Sequence, residues 1–347
     1  MQLKKEMQLS KANETDRNSD GGKVVLVLGG GPAGVVAAVR LADLGHHVTL
    51  VNRPRPGEGL EAVPRHVREQ LRAHGLEASA DTFGPLVKAR TVWAGQKSSA
   101  QLHVVHRRLL DQALLYDATR RHVNVVDGIA GGIVRSDTGW RVGVGEFNYE
   151  GDFLVEARGR EAGGKEGGGT VICLTMRYRM PGDCEPFVEV FSFEKGWVRF
   201  IAGERREAAL QIYLSDDNGD IPAGSFALKN FFEALTGGLS AHLPLLAEAK
   251  PKGEVERRNT VSRLREPLIG MDSIRIGEAA LALEPLPGSG LEQALENAEI
   301  ALPVIRAWLA GAGDKQQLAA GYIDRVKADF GALKQSRQVR FGRSENK

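Results

Sequence analysis

The chain has 347 residues, of which 42% are hydrophobic and 26% charged, and its formal net charge is +2. This length suits more than one domain, and the composition is that of a globular protein. A charge so close to zero argues against a role on nucleic acid or on a membrane surface. Neither the two cysteines, Cys173 and Cys184, nor the eight histidines have the spacing of a metal site, so no metal is predicted.

Residues 1–22 are polar and have no apolar segment of the kind found in signal peptides. We therefore expect a disordered N-terminal tail over 1–22 and a cytoplasmic protein. No apolar run reaches the ~18 residues that a membrane-spanning helix needs, so no membrane association is predicted.

The first ordered segment carries a glycine-rich turn, GGGPAG (29–34), between an apolar strand and a helix, and a second strand follows over 47–51. Its glycines hold the positions of the G-x-G-x-x-G dinucleotide fingerprint, where they permit a tight turn, the approach of a pyrophosphate and close helix packing. The N-terminus of the helix faces the phosphates. The turn therefore predicts a site for NAD or FAD. Its candidate cofactor-binding residues are Gly29, Gly31, Pro32, Ala33 and Gly34.

The end of the second strand of such a site normally supplies an acid to the ribose hydroxyls. This chain has Asn52 and Arg53 there. Asn52 can still accept a hydrogen bond, and Arg53 either approaches a phosphate or lies in solvent. Both are candidate cofactor-binding residues.

Beyond the first motif, the pattern changes twice along the chain. A helix and a short strand are predicted over 103–128, and a glycine-rich boundary at 163–169. Short alternating segments between 171 and 215 predict antiparallel strands, and a helix follows over about 225–249. The texture of the first part then returns, with a strand predicted over 273–283 and a helix from Leu291.

These elements predict an α/β fold with a Rossmann-type domain interleaved with an antiparallel-sheet substrate domain. The predicted boundaries are 23–165 and 255–347 for the first, with a substrate-side insertion near 57–105, and 166–254 for the second. Trp197 and Phe200 lie in the sheet and are candidates for the wall of a substrate pocket, although core packing explains them equally well.

The segment 277–290 resembles the second FAD motif of flavoprotein monooxygenases, whose fold is that of para-hydroxybenzoate hydroxylase. The family pattern is Gly-Asp, a short apolar stretch, Pro, two glycines and a helix. The resemblance implies FAD, with the acid near its pyrophosphate or ribityl chain. It also implies that the glycines and the helix N-terminus lie at the flavin, where that terminus stabilises negative charge. The candidate residues are Gly277, Glu278, Pro285, Gly288, Ser289 and Gly290.

Two further segments resemble motifs of the same family, in the same order. VHRRLLDQALL (105–115) is similar to V-D-R-x-x-L-D-x-x-L and places Arg107 and Asp111 on the family positions, which makes Arg107 a further candidate for cofactor binding. LVEARGREA (154–162) is similar to V-D-A-x-G-R. The chain departs from the family's acids at four positions: Asn52, His106, Glu156 and Glu278.

Segments 57–77 and 91–95 resemble the G-E-S-L-P-P and W-G segments of flavin halogenases and of their relatives that mature quinone-cofactor (lysine and glycine) oxidases. The halogenase motif W-x-W-x-I-P lacks its second Trp and its Pro at 197–202, and Lys88 is not a secure counterpart of the halogenase lysine. The resemblance therefore favours the maturation flavoproteins.

The resemblance implies a FAD-dependent monooxygenase that hydroxylates an electron-rich aromatic ring through a flavin C4a-hydroperoxide. The expected reductant is NAD(P)H or a supplier of reduced flavin, and no protein nucleophile is expected. The substrate is a Trp side chain of a quinoprotein oxidase precursor or a small aromatic molecule. Alternatives are a halogenase-like enzyme, a polyprenyl reductase and a non-catalytic nucleotide-binding docking module.

Overall fold

The computed structural model describes residues 21–55, 59–162, 171–182, 184–215, 221–260, 262–283 and 289–341. The predicted tail lies outside the described residues except for its last two positions, and so does the glycine-rich boundary at 163–169. Pro285 and Gly288 of the second motif also lie outside them.

A five-stranded parallel sheet contains the two strands on either side of the glycine turn and its helix, in the order β17-β10-β1-β2-β6. Its central strands are apolar on both faces, as strands of a covered parallel sheet are. The strands are β1 (Val24–Leu28), β2 (His47–Asn52), β6 (Asn124–Asp127), β10 (Phe153–Glu156) and β17 (Ser273–Arg275).

Seven α-helices are described, and the first packs on the parallel sheet and against the sixth. They are α1 (Pro32–Ala42), α2 (Arg65–Ala73), α3 (Glu77–Asp81), α4 (Arg107–Arg120), α5 (Ser225–Gly238), α6 (Ser289–Leu309) and α7 (Lys315–Phe341). Among the described helices, none combines the length and the apolar character that crossing a membrane requires.

The second large sheet has eight strands in the order β15-β11-β14-β13-β12-β4-β5-β3. Every pair is antiparallel except β4 with β12, so the sheet is mixed and mostly antiparallel. Three of its strands come from the segment near 57–105. The strands are β3 (Leu60–Pro64), β4 (Phe83–Trp93), β5 (Gln96–His106), β11 (Val171–Arg179), β12 (Phe187–Phe193), β13 (Gly196–Ala202), β14 (Glu207–Ser215) and β15 (Lys250–Asn259).

Two small sheets complete the described strands. One joins β7 (Ala130–Ser136), β8 (Gly139–Val144) and β9 (Phe147–Gly151), and the other joins β16 (Arg263–Leu264) and β18 (Leu281–Ala282). The predicted α/β class, with a parallel Rossmann-like sheet and a second sheet interleaved with it, is confirmed. The domain boundaries themselves stay a prediction.

Two predicted elements are shorter than expected. The strand predicted over 273–283 ends at Arg275, because Gly277 adopts a φ of +56° and opens a 3₁₀ turn over Gly277–Ala279. The helix predicted over 225–249 ends at Gly238 and continues as short 3₁₀ turns, consistent with the low helix propensity of paired glycines and with Pro244.

Candidate functional site

The turn between β1 and α1 is built around glycines that have no room for a side chain. Gly29 has a φ of +117°, and a methyl group added there would lie 2.3 Å from the carbonyl oxygen of Ala157. A methyl group on Gly34 would lie 2.0 Å from the carbonyl oxygen of Gly29. Gly31 differs, because an added methyl group there would meet no atom of the described residues within 4 Å. The turn thus leaves no room for a side chain at Gly29 and Gly34, whereas Gly31 is open.

The N-terminus of α1 is open to a negatively charged ligand. Gly31 is its N-cap, no side chain caps it, and its first turn contains no acidic residue. The first backbone N–H groups of a helix have no partner within the helix, and they carry a partial positive charge. Ala33 and Gly34 present such groups next to the open position at Gly31.

The second glycine segment packs directly on the first. A methyl group added at Gly277 would lie 2.7 Å from Cβ of Ala33. The backbone N–H of Gly277 donates to Oδ1 of Asn297 at 2.5 Å, and the hydroxyl of Tyr322 donates to the same oxygen at 3.1 Å. The fold therefore brings segments that lie some 250 residues apart in sequence into contact and fixes one of them through α6 and α7.

Glu278 connects the second glycine segment to the loop after β10. Its Oε1 accepts a hydrogen bond from Nε of Arg160 at 3.0 Å. Arg160 also donates to the carbonyl oxygen of Leu283, and its own carbonyl oxygen accepts from Arg265 at 2.6 Å. The longer carboxylate, where the family has Asp, thus reaches an arginine of the Ala-x-Gly-Arg segment.

Four charged side chains, Arg55, Glu61, Arg107 and Asp111, line what we call the charged recess. Arg107 is 8% exposed; its Nε donates to Asp111 at 2.8 Å, and its Nη1 lies 3.3 Å from Glu61. Nε of Arg55 lies 3.5 Å from Asp111. Nη2 of Arg107 is buried and has no hydrogen-bond partner in the described part of the chain. A buried donor without a partner is costly, so this atom is a candidate donor to a ligand atom.

The charged groups in this recess shift one another's pKa values. Burial opposes the charge on Arg107, but the neighbouring Glu61 and Asp111 raise its pKa. Burial alone would raise the pKa of Glu61, but Arg107, Arg55 and Arg199 together lower it. Arg107, and secondarily burial, lower the pKa of Arg55. The recess therefore holds ionised groups of both signs around the unpartnered Nη2 of Arg107.

Asn52 and Arg53, at the end of β2, have different environments. Asn52 is 7% exposed, and its Nδ2 donates to Oδ1 of Asp127 at 2.8 Å. Arg53 is half exposed, and its Nη1 lies 2.5 Å from Oε2 of Glu161. Asn52 thus lies at the glycine turn, whereas Arg53 pairs with the loop after β10.

The start of α6 lies beside the second glycine segment. Ser289 is the first residue of the helix, and Gly290 is exposed, with no atom of the described residues within 4 Å of an added methyl group. The first turn also contains Glu292, whose Oε1 lies 2.6 Å from Nε2 of His66. Open space therefore adjoins this helix end as well.

The two aromatic candidates for a substrate wall do not lie together. Trp197 stacks on Tyr213, with ring centroids 3.7 Å apart. Phe200 is fully buried on the other face of the sheet, in the cluster that includes Phe232 of α5. Since side chains alternate along a strand, residues three apart point to opposite faces. Only Trp197 shares its face with a buried polar group, Arg199, which donates to Gln211 at 2.7 Å.

A small cleft opens next to the charged recess. It is lined by Leu60, His106, Tyr178 and Glu207, among others, and Nδ1 of His106 lies 3.3 Å from Oε2 of Glu207. Burial raises the pKa of Tyr178 to about 12. The backbone N–H of Arg107 donates to the carbonyl oxygen of Gly59, which also lines the cleft, so the cleft and the recess share a wall.

No protein-family model matches the chain. A tryptophan 2-halogenase of Chondromyces crocatus is 26% identical over 341 residues, which cover 84% of this chain and 62% of that protein. The chain thus spans less than two thirds of this relative. A digeranylgeranylglycerophospholipid reductase 2 of Methanopyrus kandleri is 27% identical over 346 residues, covering 88% of this chain and 83% of that protein.

Solved structures agree with these relatives. QhpG, a peptidyl tryptophan dihydroxylase essential for tryptophylquinone cofactor biogenesis, is similar with a TM-score of 0.77 and 29% identity, over 88% of this chain and 72% of its own. The flavin-dependent halogenase CmlS has the same fold, with a TM-score of 0.77 and 22% identity, over 91% of this chain and 63% of its own. The chain has the fold of FAD-dependent monooxygenases and halogenases.

The residues present fit FAD. The open position at Gly31 and the uncapped start of α1 suit a pyrophosphate, which needs close backbone approach and N–H donors. The unpartnered Nη2 of Arg107 supplies a charged donor in the same region of the fold. Among the described residues, no cluster of His, Cys, Asp and Glu has the makings of a metal site.

Sequence reasoning missed several residues that the fold brings to this site. The sequence patterns assign no role to Arg55, Glu61, Asp127 or Arg160, although Arg160 belongs to the segment LVEARGREA (154–162), which resembles a family motif. The family pattern could have pointed to Arg160, whose position it contains. No sequence signal identified Glu61 or Asp127, because they approach the site only through sheet pairing.

Proposed function

We propose that this protein is a FAD-dependent monooxygenase that hydroxylates an electron-rich aromatic ring, and that the ring is a Trp side chain of a partner protein. The observation that carries the proposal is that two glycine segments pack against each other beside the uncapped start of α1. The buried, unpartnered Nη2 of Arg107 supports it. The likeness to a peptidyl tryptophan dihydroxylase, at 29% identity over 88% of this chain, supports the substrate.

The first glycine turn would hold the pyrophosphate of FAD. Gly29, Gly31, Pro32, Ala33 and Gly34 form the turn, with the N–H groups of α1 as donors. Asn52 and Arg53 lie where the adenosine end is expected, and Arg107 would donate to an oxygen of the cofactor. The second segment, Gly277, Glu278, Pro285, Gly288, Ser289 and Gly290, would border the flavin. Bound FAD would supply the reduction and activation of oxygen, with electrons from NAD(P)H or from a supplier of reduced flavin.

The protein's own part in this reaction is to position the ring and to keep water away. The cleft beside His106 and Glu207 shares a wall with the charged recess, and we propose that the aromatic ring enters there. Trp197 lies on the face of the sheet that carries Arg199, whereas Phe200 supports that sheet from behind. We place the reaction in the cytoplasm, where reduced nicotinamide cofactors and reduced flavins are available.

The first experiment tests whether the purified protein binds FAD. We expect a yellow protein that releases FAD on denaturation, or apoprotein that takes up added FAD. Arg107→Met is expected to weaken binding about 10- to 100-fold, because it removes a charge-assisted donor. Arg90→Met is the matched control, since Arg90 is 64% exposed and pairs with Glu189 on the surface. Protein that takes up no FAD would overturn the proposal.

The second experiment tests the reaction. FAD-loaded protein, NAD(P)H and oxygen are incubated with a Trp-containing peptide from a quinoprotein oxidase precursor, and mass spectrometry follows the Trp residue. The proposal predicts a gain of one or two oxygen atoms on Trp. A halide-dependent product would indicate a halogenase instead, and hydrogenation of a polyprenyl lipid would indicate a reductase. The observation behind this second candidate, a reductase, is the likeness that covers 83% of the Methanopyrus kandleri protein.

A further inference from the structure

A carboxylate lies next to the position where the ribose acid of the fingerprint is missing. Asn52 ends β2, and Asp127 ends the neighbouring β6, directly opposite Asn52 in the sheet register. Nδ2 of Asn52 donates to Oδ1 of Asp127 at 2.8 Å. The acid that other chains place on β2 is therefore present one strand away, at the same carboxyl edge of the sheet.

Asn52 faces the glycine turn and is fixed there. A methyl group added to Gly30 would lie 2.4 Å from Oδ1 of Asn52, so the amide fills the space beside the turn. Asn52 is buried, whereas Asp127 is exposed at the rim. The buried amide thus takes Oδ1 of Asp127, whose exposed side chain ends β6 at the carboxyl edge of the sheet, the edge where dinucleotides bind in parallel sheets.

The remaining candidate at the end of β2 has another partner. Nη1 of Arg53 lies 2.5 Å from Oε2 of Glu161, on the loop after β10. A ribose offers hydroxyl donors, and a carboxylate accepts them better than a neutral amide does. Asp127 is therefore better suited than Asn52 or Arg53 to bind a ribose.

We infer that Asp127 is the residue that accepts a hydrogen bond from a ribose hydroxyl of the adenosine half of FAD. It takes over the role of the absent β2 acid, and Asn52 is the positioning residue that orients its carboxylate. This inference rests on the proposed FAD site.

The test measures FAD affinity of the apoprotein by flavin fluorescence, with Asp127→Asn, Asp127→Ala and the control Asp137→Asn. Asp127→Asn keeps one oxygen that can accept from Asn52, but it replaces the other by an NH₂ group that cannot accept from a ribose hydroxyl. We expect Asp127→Asn and Asp127→Ala to bind FAD about 10- to 100-fold more weakly, because the loss of a hydrogen bond to a charged group weakens binding by about this factor. Asp137 lies exposed in the turn between β7 and β8, so Asp137→Asn is expected to bind like the parent protein.

Competition with ADP, 2′-deoxy-ADP and 3′-deoxy-ADP distinguishes contact from a structural role. If Asp127 contacts a ribose hydroxyl, one of the deoxy compounds binds the parent protein about tenfold more weakly than ADP does. In the Asp127→Ala variant, that deoxy compound and ADP then bind with equal affinity. Equal losses in parent and variant would overturn the inference, because the carboxylate would then only orient Asn52. Unchanged FAD affinity in both variants would also overturn it while leaving the FAD site intact. Failure of the parent protein to bind FAD would instead overturn the proposed function.

The exchange Asn52→Asp with Asp127→Asn provides a rescue. Asn52→Asp alone places two carboxylates side by side and is expected to weaken FAD binding through their repulsion. The double variant returns the acid to β2 and keeps one amide–carboxylate pair, so it is expected to recover affinity. Thermal unfolding of each apoprotein checks that the variants fold. A folded double variant no better than Asn52→Asp would count against the inference.

Discussion

Gly31 and Gly34 lie three residues apart in one turn, yet an added methyl group would meet opposite surroundings at the two. At Gly34 it would lie 2.0 Å from a backbone oxygen, and at Gly31 no atom of the described residues lies within 4 Å. Gly31 has a φ of −78°, which any residue adopts. The described fold therefore requires a glycine at position 34 but not at position 31, where we propose that the ligand requires it.

We predict that Gly31→Ala and Gly34→Ala separate these two requirements. Gly34→Ala is expected to lower the free energy of unfolding of the apoprotein by ~1–3 kcal/mol or more, because the backbone must move to admit the methyl group. Gly31→Ala is expected to change the free energy of unfolding of the apoprotein by no more than ~1 kcal/mol and to weaken FAD binding. Urea unfolding of the apoproteins and FAD titration measure both. Weaker FAD binding by Gly31→Ala that comes only with lost stability would contradict this interpretation.

At the scale of elements, α6 and α7 fix the second glycine segment from behind. Asn297 of α6 accepts from the backbone of Gly277 and from Tyr322 of α7, whose hydroxyl also lies 2.6 Å from the carbonyl oxygen of Arg275. Tyr322 is 3% exposed, and burial raises its pKa, so it remains a protonated donor across the usual pH range. The position of Gly277 thus depends on helices that follow it in sequence.

We predict that Tyr322→Phe lowers the free energy of unfolding by ~1–3 kcal/mol, because it leaves buried acceptors without their donor. FAD affinity is expected to fall less than in Arg107→Met, since Asn297 still holds Gly277. The control is Tyr116→Phe at a 55% exposed tyrosine, which is expected to be close to neutral. Thermal and urea unfolding compare the two. Equal stability of both variants would show that the Tyr322 hydroxyl contributes nothing to the packing of α7.

In the molecule as a whole, the charged recess connects the eight-stranded sheet with a helix that packs toward the parallel sheet. Glu61 belongs to β3 of the eight-stranded sheet, and Arg107 begins α4, which packs toward the parallel sheet. Their side chains lie 3.3 Å apart, and the pKa of Glu61 is lowered from its ordinary value of 4.5. An acid with a lowered pKa stabilises the fold above its ordinary pKa, and this stabilisation is lost as the pH falls through the folded-state value.

We predict that Glu61→Gln destabilises the apoprotein at neutral pH and that the difference from the parent protein narrows in acid. Below the ordinary pKa of 4.5 the unfolded chain takes up the proton first, so the gap begins to narrow there. It closes as the pH falls through the lowered folded-state pKa, where protonated Glu61 no longer differs in charge from Gln. Urea unfolding at pH 7 and at about pH 3.5 measures the gap. Glu69→Gln, at a side chain that is 63% exposed, is the control and should show a small, nearly constant difference. A gap for Glu61→Gln that does not shrink in acid would contradict the charge argument.

The glycine turn at 29–34, the α/β class and the similarity to flavin enzymes can all be predicted from sequence patterns. These follow from local rules, because a tight turn before a helix admits few residues and buried strands have recognisable composition. Strand alternation, also a local rule, could have separated Trp197 from Phe200. Only the tertiary structure placed Glu61 against Arg107 and Asp127 against Asn52. Those contacts form through sheet pairing and helix packing between distant segments, and the spacing of residues along the chain does not encode them.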